Sequence, residues 1–315
     1  MTLERNRAAV VPSRTSPQVV TKALLGGVII VGVMLAILIG ASMFLTYRIT
    51  TAHNNVENVS PATYLLPSYL SVSFTDPEGG QHAGWLLIGL RGAPAIIVCP
   101  GYDMNRSDML SLGAVLQANH FNVYLFNFSG PKAHETFSNL GAREAADVEA
   151  AIQKITHQPG INRHRIGLYG ASVGGYAALA TAERDPRVQA LAVDDVYERP
   201  LQMFDVQLSR KLGGTGSVFR FISGMVFRMF TLGAPNPHVR RNLPKLVGRA
   251  KLFVAGEDVP ALKATTEALY QTAPEPKDLQ LVNHSAGNMA SSSERKDYED
   301  RIINFFLKNL PLRAD

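Results

Sequence analysis

Arg165-Ile166-Gly167-Leu168-Tyr169-Gly170-Ala171-Ser172-Val173-Gly174-Gly175-Tyr176-Ala177-Ala178-Leu179-Ala180 is the stretch that decides the fold. A short apolar strand ends in Gly-x-Ser-x-Gly and passes straight into an alanine-rich helix. Such a strand-to-helix turn pushes the serine hydroxyl out above a sheet edge. Gly170 and Gly174 stand where a β-carbon would collide with a neighbouring strand or helix, so glycine there has a steric reason. The motif is common by chance. Its position between strand and helix makes Ser172 a candidate nucleophile rather than a helix-capping serine.

Outward from this stretch the chain alternates in the α/β manner. Strands are expected at 71–75, 84–89, 95–99, 122–128, 165–169, 188–193, 251–255 and 279–282. Helices are expected at 108–118, 143–155, 173–184, 261–273 and 294–309. The first two strands are consecutive and should form an antiparallel hairpin. The others are mostly separated by helices, which implies parallel pairing. The expectation is a mostly parallel eight-stranded sheet with helices on both faces.

The 315 residues, 46% of them apolar, suffice for one large domain plus an appendage. That appendage lies at the N-terminus, where residues 23–47 carry no charged side chain. At about 1.5 Å per residue such a helix exceeds a hydrocarbon core of roughly 30 Å. A cleaved signal peptide has an apolar core of only about 7–15 residues, so a retained transmembrane helix is the expectation. Arg5, Arg7, Arg14 and Lys22 precede it and Arg48 follows. The positive-inside rule then makes 1–22 a cytosolic tail and sets everything after residue 48 on the extracytoplasmic side. Residues 48–68 read as a linker, and 69–315 as the folded domain.

Composition excludes several classes. The net charge of +5 is mild and dispersed, with no basic block interleaved with aromatic residues, so nucleic-acid binding is not expected. Cys99, the single cysteine, rules out an internal disulfide and a multi-cysteine metal site. Within Ala95-Ile96-Ile97-Val98-Cys99 it reads as a buried small hydrophobe. No glycine-rich element fits a phosphate or dinucleotide loop, and neither cofactor nor metal is expected.

The order of motifs is specific: a strand running into Pro100-Gly101-Tyr102, then Phe126-Asn127-Phe128-Ser129-Gly130, a helix with Glu144 and Asp147, the Ser172 turn, a strand followed by Gly256-Glu257-Asp258, and a late histidine. In this order the chain resembles an α/β-hydrolase of the esterase, lipase and serine-aminopeptidase type, over about residues 69–311. The resemblance implies the α/β-hydrolase fold with a small helical lid inserted at 196–248. It also implies a triad in the order serine, carboxylate, histidine.

Transferred residue by residue, the resemblance makes Ser172 the nucleophile and His284, the histidine that follows the last strand, the base. Relatives have a few small residues between that strand and the histidine. Here His284 comes directly after it, and Asn288 occupies the place that spacing assigns to the base. Either the loop is rearranged or the base is missing. Asp258 fits the orienting acid, with Glu257 and Asp194 or Asp195 as alternatives. The oxyanion hole would use the backbone N–H groups of Val173 and Tyr102, because Pro100 has no N–H to donate. Glu144 and Asp147 read as structural, and His134 as part of a loop near the mouth of the site.

The lid segment carries Phe219, Phe221, Met225, Phe227 and Met229 with Arg220 and Arg228 between them. Core packing of cap helices is one reading, and contact with lipid headgroups is the other. Three functions follow: a membrane-anchored serine hydrolase acting on a small-molecule or lipid-like ester, thioester or amide; a hydrolase-fold binding module without turnover; or an acyltransferase that excludes water.

Overall fold

The computed structural model describes residues 17–51, 56–66, 68–128, 138–214, 216–233, 237–289 and 291–312. Most of the expected tail, together with His53 and His134, lies outside the described residues. Eight strands form one sheet in the order β1-β2-β4-β3-β5-β6-β7-β8. They are β1 (Tyr69–Thr75), β2 (Gln81–Leu87), β3 (Ala95–Cys99), β4 (Asn122–Phe126), β5 (Ile166–Ala171), β6 (Val188–Asp194), β7 (Ala250–Gly256) and β8 (Lys277–Val282). β1 and β2 form the expected hairpin, β2 pairs antiparallel with β4, and all later pairings are parallel.

β3, β4, β5 and β7 are buried at every residue, as strands covered on both faces must be. On one face α2 (Leu110–Ala118) and α9 (Ser292–Asn309) enclose a core with Leu116, Tyr169, Leu252 and Phe306. On the other, α3 (Glu144–Thr156), α4 (Val173–Ala182) and α8 (Pro260–Thr272) enclose Ile97, Ile152, Tyr176 and Phe253. The chain winds from β3 to β4 in one direction and from β5 to β8 in the other. Right-handed crossovers therefore put α2 and α3 on opposite faces. The order reverses beside β3, between its neighbours β4 and β5. Beyond the carboxyl ends of strands at such a reversal there is a crevice, the general position of ligand sites in open α/β sheets.

Between β6 and β7 are inserted α5 (Pro200–Leu212), α6 (Ser217–Phe230) and the short α7 (Val239–Asn242). α5 and α6 pack through Phe204 stacked on Phe227, with ring centroids 4.6 Å apart. Their inner surface is thus ordinary core.

The N-terminal helix α1 (Pro17–Thr50) is longer than the expected 23–47 at both ends. Within it, Leu24–Thr50 is the one stretch, among the described residues, long and apolar enough to cross a membrane. Its last turns dock on the domain and bury Ser42, Thr46, Ile49 and Thr50. Tyr102 donates its hydroxyl to the Ile49 carbonyl at 3.0 Å, and the Ser138 amide donates to Thr50 at 2.9 Å. The described part of the expected linker is likewise laid along the domain. The Arg106 guanidinium reaches Glu57 at 2.7 Å, Asn105 donates to the Val56 carbonyl at 2.9 Å, and Val59 donates to Ser107 at 3.0 Å.

Candidate active site

β5 delivers Ser172 to the reversal point with φ 50° and ψ −111°. A non-glycine residue held there costs about 1–3 kcal/mol and persists only where surrounding structure over-determines it. Here the surroundings are backbone. The Ser172 amide donates to the Asp194 carbonyl at 2.7 Å. A β-carbon on Gly170 would strike the Gly174 carbonyl, and one on Gly174 would strike the carbonyls of Cys99 and Pro100. The glycine requirement read from the motif is therefore a close approach of α4 to β5 and to the end of β3. The Ser172 Oγ lies 3.7 Å from the Met203 sulfur, its hydrogen-bond partner among the described residues.

Ser172 opens into a cavity of about 360 Å³ lined by Tyr102, Asp195, Met203, Arg210 and Asn288, among others. Val173 is the first residue of α4, so its N–H has no carbonyl partner within the helix. Tyr102 follows the Pro100-Gly101 turn at the end of β3. The two backbone segments expected to supply oxyanion donors thus flank the reversal point. The Tyr102 side chain lines the cavity and also carries the bond to α1.

The structure does not bring His284 to Ser172. The His284 ring is half-buried, and its Nδ1 lies 2.7 Å from Glu294 of α9. That hydrogen bond raises the imidazole pKa above its ordinary value. Among the described residues no hydrogen bond joins His284 to Ser172 or to Asp258. Asp258 instead accepts from the Asn288 side-chain amide at 2.6 Å and from the Ser285 amide at 3.1 Å. The acid therefore supports the loop 285–288, and the residue it orients inside the Ser172 cavity is Asn288. Of residues 284 and 288, Asn288 is the one that lines the cavity. Val282 ends β8, so His284 follows the strand after a single residue, four positions ahead of Asn288.

Glu257 pairs with Lys263 at 3.0 Å on the surface, away from this loop. Asp194 and Asp195 both line the cavity. Asp194 accepts from the Ala286 amide and the Tyr298 hydroxyl, each at 2.7 Å. Tyr169 lies a further 2.7 Å behind Tyr298. Asp195 takes a φ of 48° and accepts from the Gly256 amide at 2.9 Å. Among the described residues, one oxygen of each carboxylate is buried without a hydrogen-bond partner. Burial, reinforced by their mutual repulsion, holds Asp194 well above the usual carboxylate range, and burial does the same for Asp195.

Sequence reading missed Tyr298, Glu294 and Met203. The first two sit on an amphipathic C-terminal helix with nothing local to mark them, and only the packing of α9 beside the loop gives them partners. Away from the site, Asp76, His82 and Asp147 hold their oxygen and nitrogen atoms within 4.8 Å of one another. The ring nitrogens of His82 face the Asn127 carbonyl at 2.9 Å and Asp76 at 3.0 Å. Both are thus engaged, and the trio reads as a largely buried hydrogen-bonded cluster beside the β1–β2 hairpin.

Comparison with known proteins agrees with this architecture. The sequence profile of the Prolyl oligopeptidase family matches residues 130–198, the stretch around the Ser172 turn. "Uncharacterized protein YfhR" of Escherichia coli O157:H7 is 28% identical over 253 residues, 76% of this chain and 81% of that protein. "Thiohydrolase aneE" of Aspergillus aculeatus is 28% identical over 131 residues, 39% of this chain and 40% of that protein. Among solved structures, the Pyrococcus furiosus esterase Pf2001 superposes with a TM-score of 0.63 at 15% identity, covering 81% of this chain and 96% of the esterase.

Proposed function

We propose that this chain, which belongs to the α/β-hydrolase superfamily, is a membrane-anchored serine hydrolase of low intrinsic turnover, acting on an ester or thioester through Ser172. The observation that carries the proposal is the strained Ser172 turn opening into the cavity. The Ser172 oxygen attacks the carbonyl carbon, and the developing oxyanion is met by the N–H groups of Val173 and Tyr102. The bond to the leaving alcohol or thiol breaks, the hydroxyl proton passes through water to that leaving group, and water then releases the acid from Ser172. Asn288 can orient such a water but takes no proton at neutral pH. General-base catalysis is worth about 10²–10⁴-fold, and the account forgoes that factor. Oxyanion stabilisation and binding alone retain roughly 10³–10⁴-fold over the reaction in water. The relatives named above as a thiohydrolase and an esterase support an acyl carbonyl as the reacting group.

A second reading is favoured by the same Asn288–Asp258 pair: ligand binding without turnover. The two separate on one experiment. A fluorophosphonate probe is expected to label the full-length chain slowly, and Ser172→Ala to abolish that labelling. A folded wild-type protein that binds acyl thioesters yet never labels would establish the binding module instead.

The anchor is α1, with the orientation given by the cations around it: the tail in the cytosol and the domain on the other side. The alternative for this segment is a signal sequence. A full-length band in mature membranes, with Val33 protected from aqueous thiol reagents as Val33→Cys, is the expected result for an anchor.

A further inference from the structure

We propose that α6 is a second membrane element, its outer side laid into the headgroup–acyl boundary of an anionic bilayer beside the span of α1. This rests on reading α1 as a transmembrane helix.

α6 has two unlike sides. Ser223, Val226 and Phe227 are buried, Ser223 against α1 and Phe227 against α5. Val218, Phe221, Met225 and Met229, with Leu232 just past the helix end, recur at steps of three and four and so form one stripe. Their exposures are 65%, 69%, 50%, 72% and 87%. Large apolar side chains scattered singly on a surface need no explanation, but a continuous stripe of five does. Charge agrees: α6 itself carries Arg220 and Arg228 and no carboxylate. An apolar stripe with cations around it and almost no acid is the composition of a helix lying in a membrane interface.

What covers the stripe follows from α1. Lys22 is the last charge before the apolar run and Arg48 the first after it. A hydrocarbon core takes about 20 helical residues, so a span starting after Lys22 leaves it near Ser42. At that residue α6 is attached: the Ser223 hydroxyl donates to the Ser42 hydroxyl at 3.0 Å, both buried. The bonds from Tyr102 to Ile49 and from Ser138 to Thr50 fix the rest of the domain to the same helix end. α6 is therefore held at the depth where acyl chains give way to phosphates. α5, directly beneath it, contributes Met203, Gln207, Arg210 and Lys211 to the Ser172 cavity. The cavity then lies one helix layer from the lipid.

The test uses the full chain in a Cys99→Ala background, in vesicles of phosphatidylcholine and phosphatidylglycerol. An environment-sensitive fluorophore is placed on Met225→Cys, Val33→Cys or Glu149→Cys. Brominated acyl chains are expected to quench the labels at 33 and 225 but not at 149, and aqueous iodide to quench only 149. Omitting phosphatidylglycerol is expected to weaken quenching at 225 and leave 33 unchanged. Quenching of 33 by brominated lipid, with 225 open to iodide, would overturn the α6 proposal and leave the anchor standing. Position 225 shielded from both quenchers would also overturn it, in favour of a second copy of the chain on the stripe. Failure of lipid quenching at 33 would remove the anchor reading itself.

Discussion

Asn288 and a histidine have similar reach, but only imidazole takes up a proton near neutral pH. In this loop the amide holds the Asp258 bond, while His284 bonds Glu294 and is not among the residues lining the cavity. His284→Ala is therefore expected to leave the rate of fluorophosphonate labelling unchanged, whereas His284 as base would require its loss. The same pair has a pH signature. Because Glu294 raises the His284 pKa from its ordinary 6.5, the pair adds stability at pH below 6.5 and loses it as pH rises through the higher folded value. Denaturant unfolding of wild type against His284→Ala, measured from pH 5 to pH 9, should show the difference narrowing across that window. At this scale the tight turn at Ser172 and the place of Asp258 beside the last loop were legible in the sequence, because the motif and strand ends set their register. Which of 284 and 288 enters the cavity was not. That depends on how the chain leaves β8 and on Glu294, ten residues on, arriving beside it.

Every expected strand and helix of the domain exists, with ends shifted by a few residues. β5 runs to Ala171 because its last residues pair with β6 as far as Asp194. β2 begins at Gln81 because its hairpin register with Thr75 continues beyond the apolar residues. The elbow depends on the β3 end and α4 touching through backbone, so Gly174→Ala places a methyl against two carbonyls. Overpacking of this kind costs about 1–3 kcal/mol. Thermal unfolding is expected to fall by several degrees, and labelling of Ser172 to be lost. Retention of both would mean that the turn tolerates a wider approach than it displays. The inserted helices were legible as an insertion, but not their two-sidedness, since the packing of Phe204 on Phe227 needs α5 and α6 face to face.

For the whole molecule, the sequence suggested a membrane helix, a loose linker and a separate domain. The first and last of these instead share buried contacts. Apolar periodicity does not mark Ser42, Thr46 and Thr50 as docking residues, because small polar side chains occur throughout membrane helices. The bond from Tyr102 to Ile49 joins the helix end to the loop after β3, which lines the Ser172 cavity. Tyr102→Phe removes it and is expected to cost about 0.5–1.5 kcal/mol, as for a typical intramolecular hydrogen bond. Thermal unfolding of the full chain in detergent would register this, and an unchanged midpoint would argue that α1 is not docked. The central claim concerns the molecule as an enzyme: an intact elbow and cavity with an amide where the base belongs. The direct measurement is kcat/KM on a p-nitrophenyl ester for wild type, Asn288→His and Ser172→Ala/Asn288→His. A rise of about 10²-fold or more is expected on restoring the imidazole, absent when Ser172 is removed. No rise in a folded Asn288→His variant, with wild-type activity lost in His284→Ala, would contradict it.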